Sequence, residues 1–212
     1  MKIDIVTLFP EMFVGPFDES IVKRARQAGL VEINIHNLRD WAEDKHKIVD
    51  DRPYGGGPGM VMKVDVIGKS IEALKIEGSK VLLMSAKGER YTQQKAVKVS
   101  DANHLVLICG HYEGVDHRVH ELVDDVISVG DFVLTGGEIA SMIVVDSVVR
   151  LIPGVLGGKE SASDESHKKP GYIEYPQYTR PEEYMSMNVP KVLLSGNHGE
   201  IEKWREENSG KN

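Results

Sequence analysis

A single cysteine, Cys109, stands in the 212 residues of the chain. An intramolecular disulfide is therefore excluded, and a reducing compartment is the natural setting. No apolar run reaches the roughly 18 to 20 residues that a membrane-spanning helix needs. The opening Met-Lys-Ile-Asp-Ile-Val carries an acid inside its apolar run and reads as a strand, not a signal peptide. These absences predict a cytoplasmic protein that does not engage membranes. An excess of positive charge is missing as well: the net charge is −7, without the basic footprint expected of a nucleic-acid binder. Basic residues gather only locally, at Lys23, Arg24 and Arg26, at Lys45-His46-Lys47 and at Lys168-Lys169. Each such cluster reads as a solvated face. Internal repeats and low-complexity tracts are absent too.

What is present is a core: 41% of the residues are hydrophobic, enough for one domain with or without a small appendage. Short β-rich runs alternate with helical ones. Strands are predicted over 2–9, 31–36, 80–85, 104–109 and 125–129, and helices over 18–28, 64–76, 92–100, 116–123 and 138–151. Gly29 is placed as the residue that closes the first helix. In the helix from 138, Ile139, Met142, Ile143 and Val149 are read as one buried face. The alternation implies an α/β fold with a mostly parallel sheet covered by helices. Residues 157–176 are polar and glycine-rich, which predicts a flexible linker between a domain at 1–156 and a short helical domain at 177–212. In that tail, Asn197-His-Gly-Glu200 has the spacing of a helix N-cap and its partner.

Three predicted strands run into loops of small residues: Ser85–Gly88, Gly110–Gly114 and Gly130–Gly137. Ligands of open parallel sheets bind beyond the carboxyl ends of the strands, so this series favours a nucleotide-like ligand. The standard phosphate motifs do not apply. Gly55-Gly-Gly-Pro-Gly-Met60 lacks the last glycine of G-x-G-x-x-G, and Gly154-Val-Leu-Gly-Gly-Lys-Glu160 has a misplaced first glycine and no Ser/Thr for magnesium. His117 and His120 share a helical face, but no cysteine or clear third ligand joins them, so ordinary surface histidines are expected.

Six blocks carry a resemblance. Asp50-Asp-Arg-Pro-Tyr-Gly-Gly-Gly-Pro-Gly-Met60, Gly110-His-Tyr-Glu-Gly-Val-Asp116, Val129–Glu138, Arg150-Leu-Ile-Pro-Gly-Val-Leu-Gly157, Tyr178-Thr-Arg-Pro181 and Val192–His198 follow one another in a single order. Together they closely resemble the tRNA (guanine-N1)-methyltransferases, the TrmD family of the SPOUT superfamily, over nearly the whole chain. The resemblance implies a C-terminal trefoil knot in the α/β domain, an exception to usual topology that periodicity does not reveal. It implies S-adenosyl-L-methionine as methyl donor, the anticodon arm of tRNA as partner, a homodimer with composite active sites, and assistance by Mg2+. Carried over by position, the donor site comprises Ser85, Gly110, Tyr112, Glu113, Val129, Gly130, Asp131, Phe132, Val133, Leu134, Gly136 and Gly137.

Methylation of guanine N1 requires removal of the N1 proton, and negative charge then develops towards O6. A base near N1 and a cation or donor near O6 are both needed. The resemblance implies Arg150 for O6 and an acidic linker residue for N1. Counting forward from Arg150 selects Glu165, with Asp164 the alternative because the linker holds one extra residue. Three departures stand out: Ala86 where many relatives have proline, His167 where they have a buried aromatic, and a short stretch after Trp204-Arg205 where they continue with basic helical sequence. The competing readings are a SPOUT methyltransferase acting on ribose or rRNA, against which the block from Asp50 argues, and a donor-binding but catalytically weak RNA-binding relative.

Overall fold

The computed structural model describes residues 1–157 and 165–211. The chain folds as two units, Met1–Gly157 and Gly158–Asn212. In the first unit the elements run β1 (Lys2–Thr7), α1 (Ser20–Gln27), β2 (Glu32–Asn37), the short β3 (Asp50–Asp51) and β4 (Val61–Met62), α2 (Val64–Leu74), β5 (Ser79–Arg90), α3 (Gln93–Ser100), β6 (His104–Cys109), β7 (Asp125–Ser128) and α4 (Glu138–Val149). Five of the strands form one parallel sheet in the order β2-β1-β6-β5-β7.

The sheet is apolar on both faces because helices cover both. β6 lies at its centre, and all six residues of His-Leu-Val-Leu-Ile-Cys are buried. Leu105, Leu107 and Cys109 join Leu82 and Met84 of β5 against Val144, Val145 and Val148 of α4. Val106 and Ile108 join Val81 and Leu83 against Val66, Ile67 and Ile71 of α2. An uninterrupted apolar strand is what a doubly covered parallel sheet requires.

A polar chain ties the amino ends of three strands. Ser79 Oγ meets His104 Nδ1 at 2.7 Å, and His104 Nε2 meets Asp4 Oδ2 at 2.7 Å. Asp4 also takes His36 Nε2 at 2.9 Å, Asn34 Nδ2 at 3.1 Å and Lys2 Nζ at 2.8 Å. Burial alone would raise its carboxyl, but the hydrogen bonds from Lys2, His36, His104 and Asn34 prevail and hold it at about 2.

Several elements differ in detail from the sequence reading. β5 continues to Arg90 instead of stopping at Ser85, because the chain steps out over four residues and then resumes pairing with β7. The predicted helix over 116–123 is a single 3-10 turn, His117–Glu121, with the Asp116 side chain accepting from the Arg118 N–H at 2.9 Å. α2 ends at Leu74, leaving Ile76 exposed. The expected buried face of α4 holds only in part: Val149 is buried and Met142 packs partly buried against the core, but Ile139 and Ile143 turn outwards. Ala140, Ser141, Val144, Val145, Val148 and Val149 are buried, whereas Ile139 and Ile143 are 46% and 43% exposed. α4 is apolar nearly all round, so spacing alone cannot choose the side that meets the sheet.

The described part of the second unit holds β8 (Tyr172–Ile173), β9 (Glu183–Tyr184), β10 (Met187–Asn188), α5 (Lys191–Leu194), α6 (His198–Asn208) and β11 (Gly210–Lys211). β9 and β10 form an antiparallel hairpin, and β11 pairs antiparallel with β8. Asn197 caps α6 by accepting the Glu200 N–H at 3.4 Å. Trp204 of α6 lies 6.4 Å from Tyr175 and 6.2 Å from Tyr178, ring to ring, and Arg205 stacks on Tyr175 at 4.9 Å.

Candidate functional site

A cleft of about 250 Å³ opens at the carboxyl ends of β5, β6 and β7, with a lining that runs from Leu83 to Ala140. One wall is an excursion inside β5, and the other two are loops that follow β6 and β7. The first arises because Met84 and Glu89 both pair with Ile127 of β7, so residues 85–88 project out of the sheet. The excursion returns at Gly88, where a Cβ would stand 2.5 Å from backbone atoms of Val126 and Ile127. No side chain fits there.

The second wall, after β6, is zipped to the chain around β4. Glu113 N–H donates to Met60 O at 3.1 Å, Met62 N–H to Gly114 O at 3.0 Å and Asp116 N–H to Met62 O at 2.9 Å. Tyr112 adopts φ +58°, a left-handed conformation that costs a non-glycine residue energy. Burial raises its phenol pKa, the neighbouring Asp50 carboxylate raises it further, and Arg39 acts in the opposite direction. The side chain of Glu113 lies against Gly59. Thus the loop is anchored on the glycine-rich segment that follows Asp50.

The third wall runs from Val129 to Gly136 and leads into α4. His111 and Gly136 form an antiparallel bridge, and Gly137 N–H donates to Gly110 O at 2.7 Å. A Cβ on Gly137 would lie 2.8 Å from Cys109 Cα and 2.9 Å from Gly110 N. Only glycine allows the start of α4 to sit this close to the end of β6. Beneath lies Cys109, whose thiol burial keeps protonated, with Sγ 3.5 Å from Ser141 Oγ. It is a packing residue, not a nucleophile.

Ser85, Gly110, Tyr112, Glu113, Val129, Gly130, Phe132, Val133, Leu134 and Gly136 all line the cleft. Gly137 does not line it but forms the contact just described, and the Asp131 side chain is 87% exposed with its carboxylate 3.5 Å from Arg90. The sequence reading did not single out His111 and Thr135, although both sit within the blocks and line the cleft. It also passed over Glu138 as a site residue, which is 1% exposed and accepts a hydrogen bond from Thr7 Oγ1 at 2.7 Å. A charged residue at the start of an apolar helix run was the available signal.

Arg150 is the half-buried cap residue at the C-terminal end of α4, with its N–H bonded to Asp146 O at 3.3 Å. At 1.5 Å per residue, α4 spans roughly 18 Å, so Arg150 and the Gly136 end of the cleft lie at opposite ends of the helix. Glu165 is half-buried in the second unit and accepts the Lys168 N–H through its carbonyl at 3.2 Å. Beside it, Ser166 Oγ accepts the Glu174 N–H at 3.1 Å, and His167 is exposed at φ +68°. Asp164 lies outside the described residues. The rings of His117 and His120 lie 4.6 Å apart, and no group of three or more His, Cys, Asp or Glu is placed to hold a metal among the described residues.

Residues 1–212 match the family model described as tRNA (Guanine-1)-methyltransferase TrmD. The chain belongs to this family. It is 57% identical over 205 residues to a tRNA (guanine-N(1)-)-methyltransferase of Dictyoglomus turgidum, covering 97% of this chain and 83% of that protein. Relatives of the same description come from Geobacter sp. strain M21, at 59% identity over 97% of this chain and 83% of the relative, and from Syntrophomonas wolfei, at 53% over 99% and 85%. As a TrmD-family member the chain is a methyltransferase with an α/β fold of the SPOUT type. Among the described residues no helix is long and apolar enough to cross a membrane.

Proposed function

We propose that this chain transfers a methyl group from S-adenosyl-L-methionine to N1 of the guanosine at position 37 of tRNA, beside the anticodon. The observation that carries the reading is the cleft at the ends of β5, β6 and β7, in a chain that matches the TrmD family from end to end. Its walls combine glycines and small residues, where backbone N–H and C=O groups can read an adenine edge, with larger side chains such as Tyr112, Phe132 and Leu134. Ser85, Gly110, Tyr112, Glu113 and the run from Val129 to Gly136 hold the donor, and Gly137 keeps α4 close enough to close the floor. Asp131 belongs to the rim.

The sulfonium supplies an activated methyl group, and displacement is in line, so the residues of the chain act chiefly by positioning. Glu165 accepts the proton from guanine N1 as the N1–methyl bond forms and the methyl–sulfur bond breaks. Arg150 faces O6 and stabilises the charge that gathers there. Arg150 stands at the far end of α4 from the cleft, which supports a homodimer in which each active site draws on both subunits. Exposure of Ile139 and Ile143 on α4 supports the same arrangement. In this reading the first unit carries the trefoil knot, and the second unit helps to grip the anticodon arm in the cytoplasm. The target base is splayed out of its loop to reach the pocket.

Replacing Arg150 or Glu165 by Ala is expected to lower kcat at least about 100-fold. Donor affinity, read by calorimetry on the same proteins, should change less than about twofold. Loss of donor binding in either variant would move that residue from the catalytic to the donor site.

A further inference from the structure

Glu138 is the first residue of α4 and is almost wholly buried. A carboxylic acid at such depth is ordinarily paired with a cation. Here the hydrogen bond comes from a neutral group, Thr7 Oγ1 at the end of β1, which in turn accepts the Phe9 N–H at 2.9 Å. The one ion-pair contact of Glu138 among the described residues is His111 Nδ1, at 3.8 Å from Oε2 and beyond hydrogen-bonding reach. That nitrogen is itself buried without a hydrogen-bond partner. The positive end of the α4 dipole lies at the same place.

Only one residue separates this group from the cleft. A Cβ placed on Gly136 would run into Glu138 Oε2 and come within 2.5 Å of His111 Nδ1. Gly136 also lines the cleft. The carboxylate therefore stands one backbone thickness behind the wall. Apart from His111, the titratable side chains along the lining are Lys87, Tyr112 and Glu113, all exposed to solvent. Screening weakens exposed charges, whereas a buried charge acts through a medium of low dielectric constant.

We propose that Glu138 is the buried counter-charge of the donor cleft, favouring a sulfonium cation over the neutral thioether that remains after methyl transfer. The inference rests on the donor-site reading of this cleft. When the methyl–sulfur bond breaks, its electron pair stays on sulfur and the ligand loses its positive charge. The attraction to Glu138 vanishes in the same step, so the spent ligand is held less tightly than the fresh one. Glu138 does not touch the ligand, since Gly136 intervenes. It is a positioning residue that acts through its field.

Glu138→Gln tests this, because the amide keeps an oxygen for Thr7 and removes only the charge. Calorimetric titration with S-adenosylmethionine and with S-adenosylhomocysteine is expected to show about tenfold weaker binding of the first and less than about twofold change for the second. A purely structural role would shift both affinities together and overturn the proposal. Thr7→Val keeps the charge and loses the hydrogen bond, and its affinity ratio should match that of the wild type. Should Glu138→Gln fail to fold, the wild-type protein decides: an analogue with an amine in place of the sulfonium must bind about tenfold more tightly than the thioether, and equal affinities overturn the proposal. Wild-type protein that binds none of these ligands overturns the donor-site reading and this inference with it. Binding of both natural ligands with an unchanged ratio in Glu138→Gln overturns the inference alone.

Discussion

At the scale of single residues, the cleft depends on places where no side chain fits. Gly137 is one of these, since its missing Cβ makes room for backbone of β6. Gly137→Ala should destabilise the first unit by about 1–3 kcal/mol through overpacking and weaken donor binding at least about tenfold. Chemical denaturation and calorimetry read the two effects separately. Asp4 makes a different kind of contribution, because its carboxyl is held at about 2 in the fold against an ordinary 3.8. A depressed carboxyl stabilises the fold above its unfolded value and loses that contribution as pH falls through the folded one. Stability should therefore drop between about pH 4 and pH 2. Asp4→Asn should remove that acid-side slope and cost about 3 kcal/mol at neutral pH, because His36, His104 and Lys2 lose their shared anion. An acid transition in Asp4→Asn as steep as in the wild type would refute this account of Asp4.

At the scale of elements, the hairpin of β9 and β10 turns on Met185 and Ser186, both left-handed, at φ 48° and 64°. Two-residue turns of this kind prefer Asn-Gly, because each central residue must accept positive φ. Ser186→Gly should accordingly stabilise the second unit by about 0.5–1 kcal/mol, seen as slower amide exchange across the hairpin. Much of the element order was legible beforehand. β6 stands where its apolar run placed it, between Asn103 and Gly110, because a doubly covered parallel strand has no polar positions to blur its ends. The Gly29 assignment is matched by N–H bonds from Gly29 to Arg26 O and from Leu30 to Ala25 O. What pattern could not settle was anything decided by the neighbours of an element. α4 is apolar on nearly every side, so only the sheet determines that Val144 and Val148 face inwards while Ile139 and Ile143 face outwards. β5 extends past Ser85 because β7 offers it a second set of partners, and no local signal in Ala86-Lys-Gly88 announces that. Tyr112 reads from sequence as a donor contact alone, whereas the charges of Asp50 and Arg39, more than 60 residues away along the chain, act on its hydroxyl. Glu138 went unread as a site residue for the same reason: its partner, Thr7, is 131 residues distant.

At the scale of the molecule, the two units divide the proposed labour. The first carries the cleft and Arg150, and the second carries Glu165. On the proposed roles, methyl transfer needs Arg150 and Glu165 as well as the cleft, which a homodimer with composite sites would supply. Light scattering is expected to give a dimer for the wild type, and Ile143→Lys on the outward face of α4 is expected to weaken it and lower methyl transfer together. A monomeric wild type with full activity would contradict composite sites. The net charge of −7 means that the surface as a whole offers no basic attraction for tRNA. The most direct test of the account is to let purified protein act on a tRNA whose guanosine 37 follows another guanosine, then map the product nucleoside by nuclease digestion and mass spectrometry. The account predicts a single methyl group on N1 of guanosine 37. A methyl group on a ribose or another nucleotide, or none from folded protein that binds the donor, would contradict it.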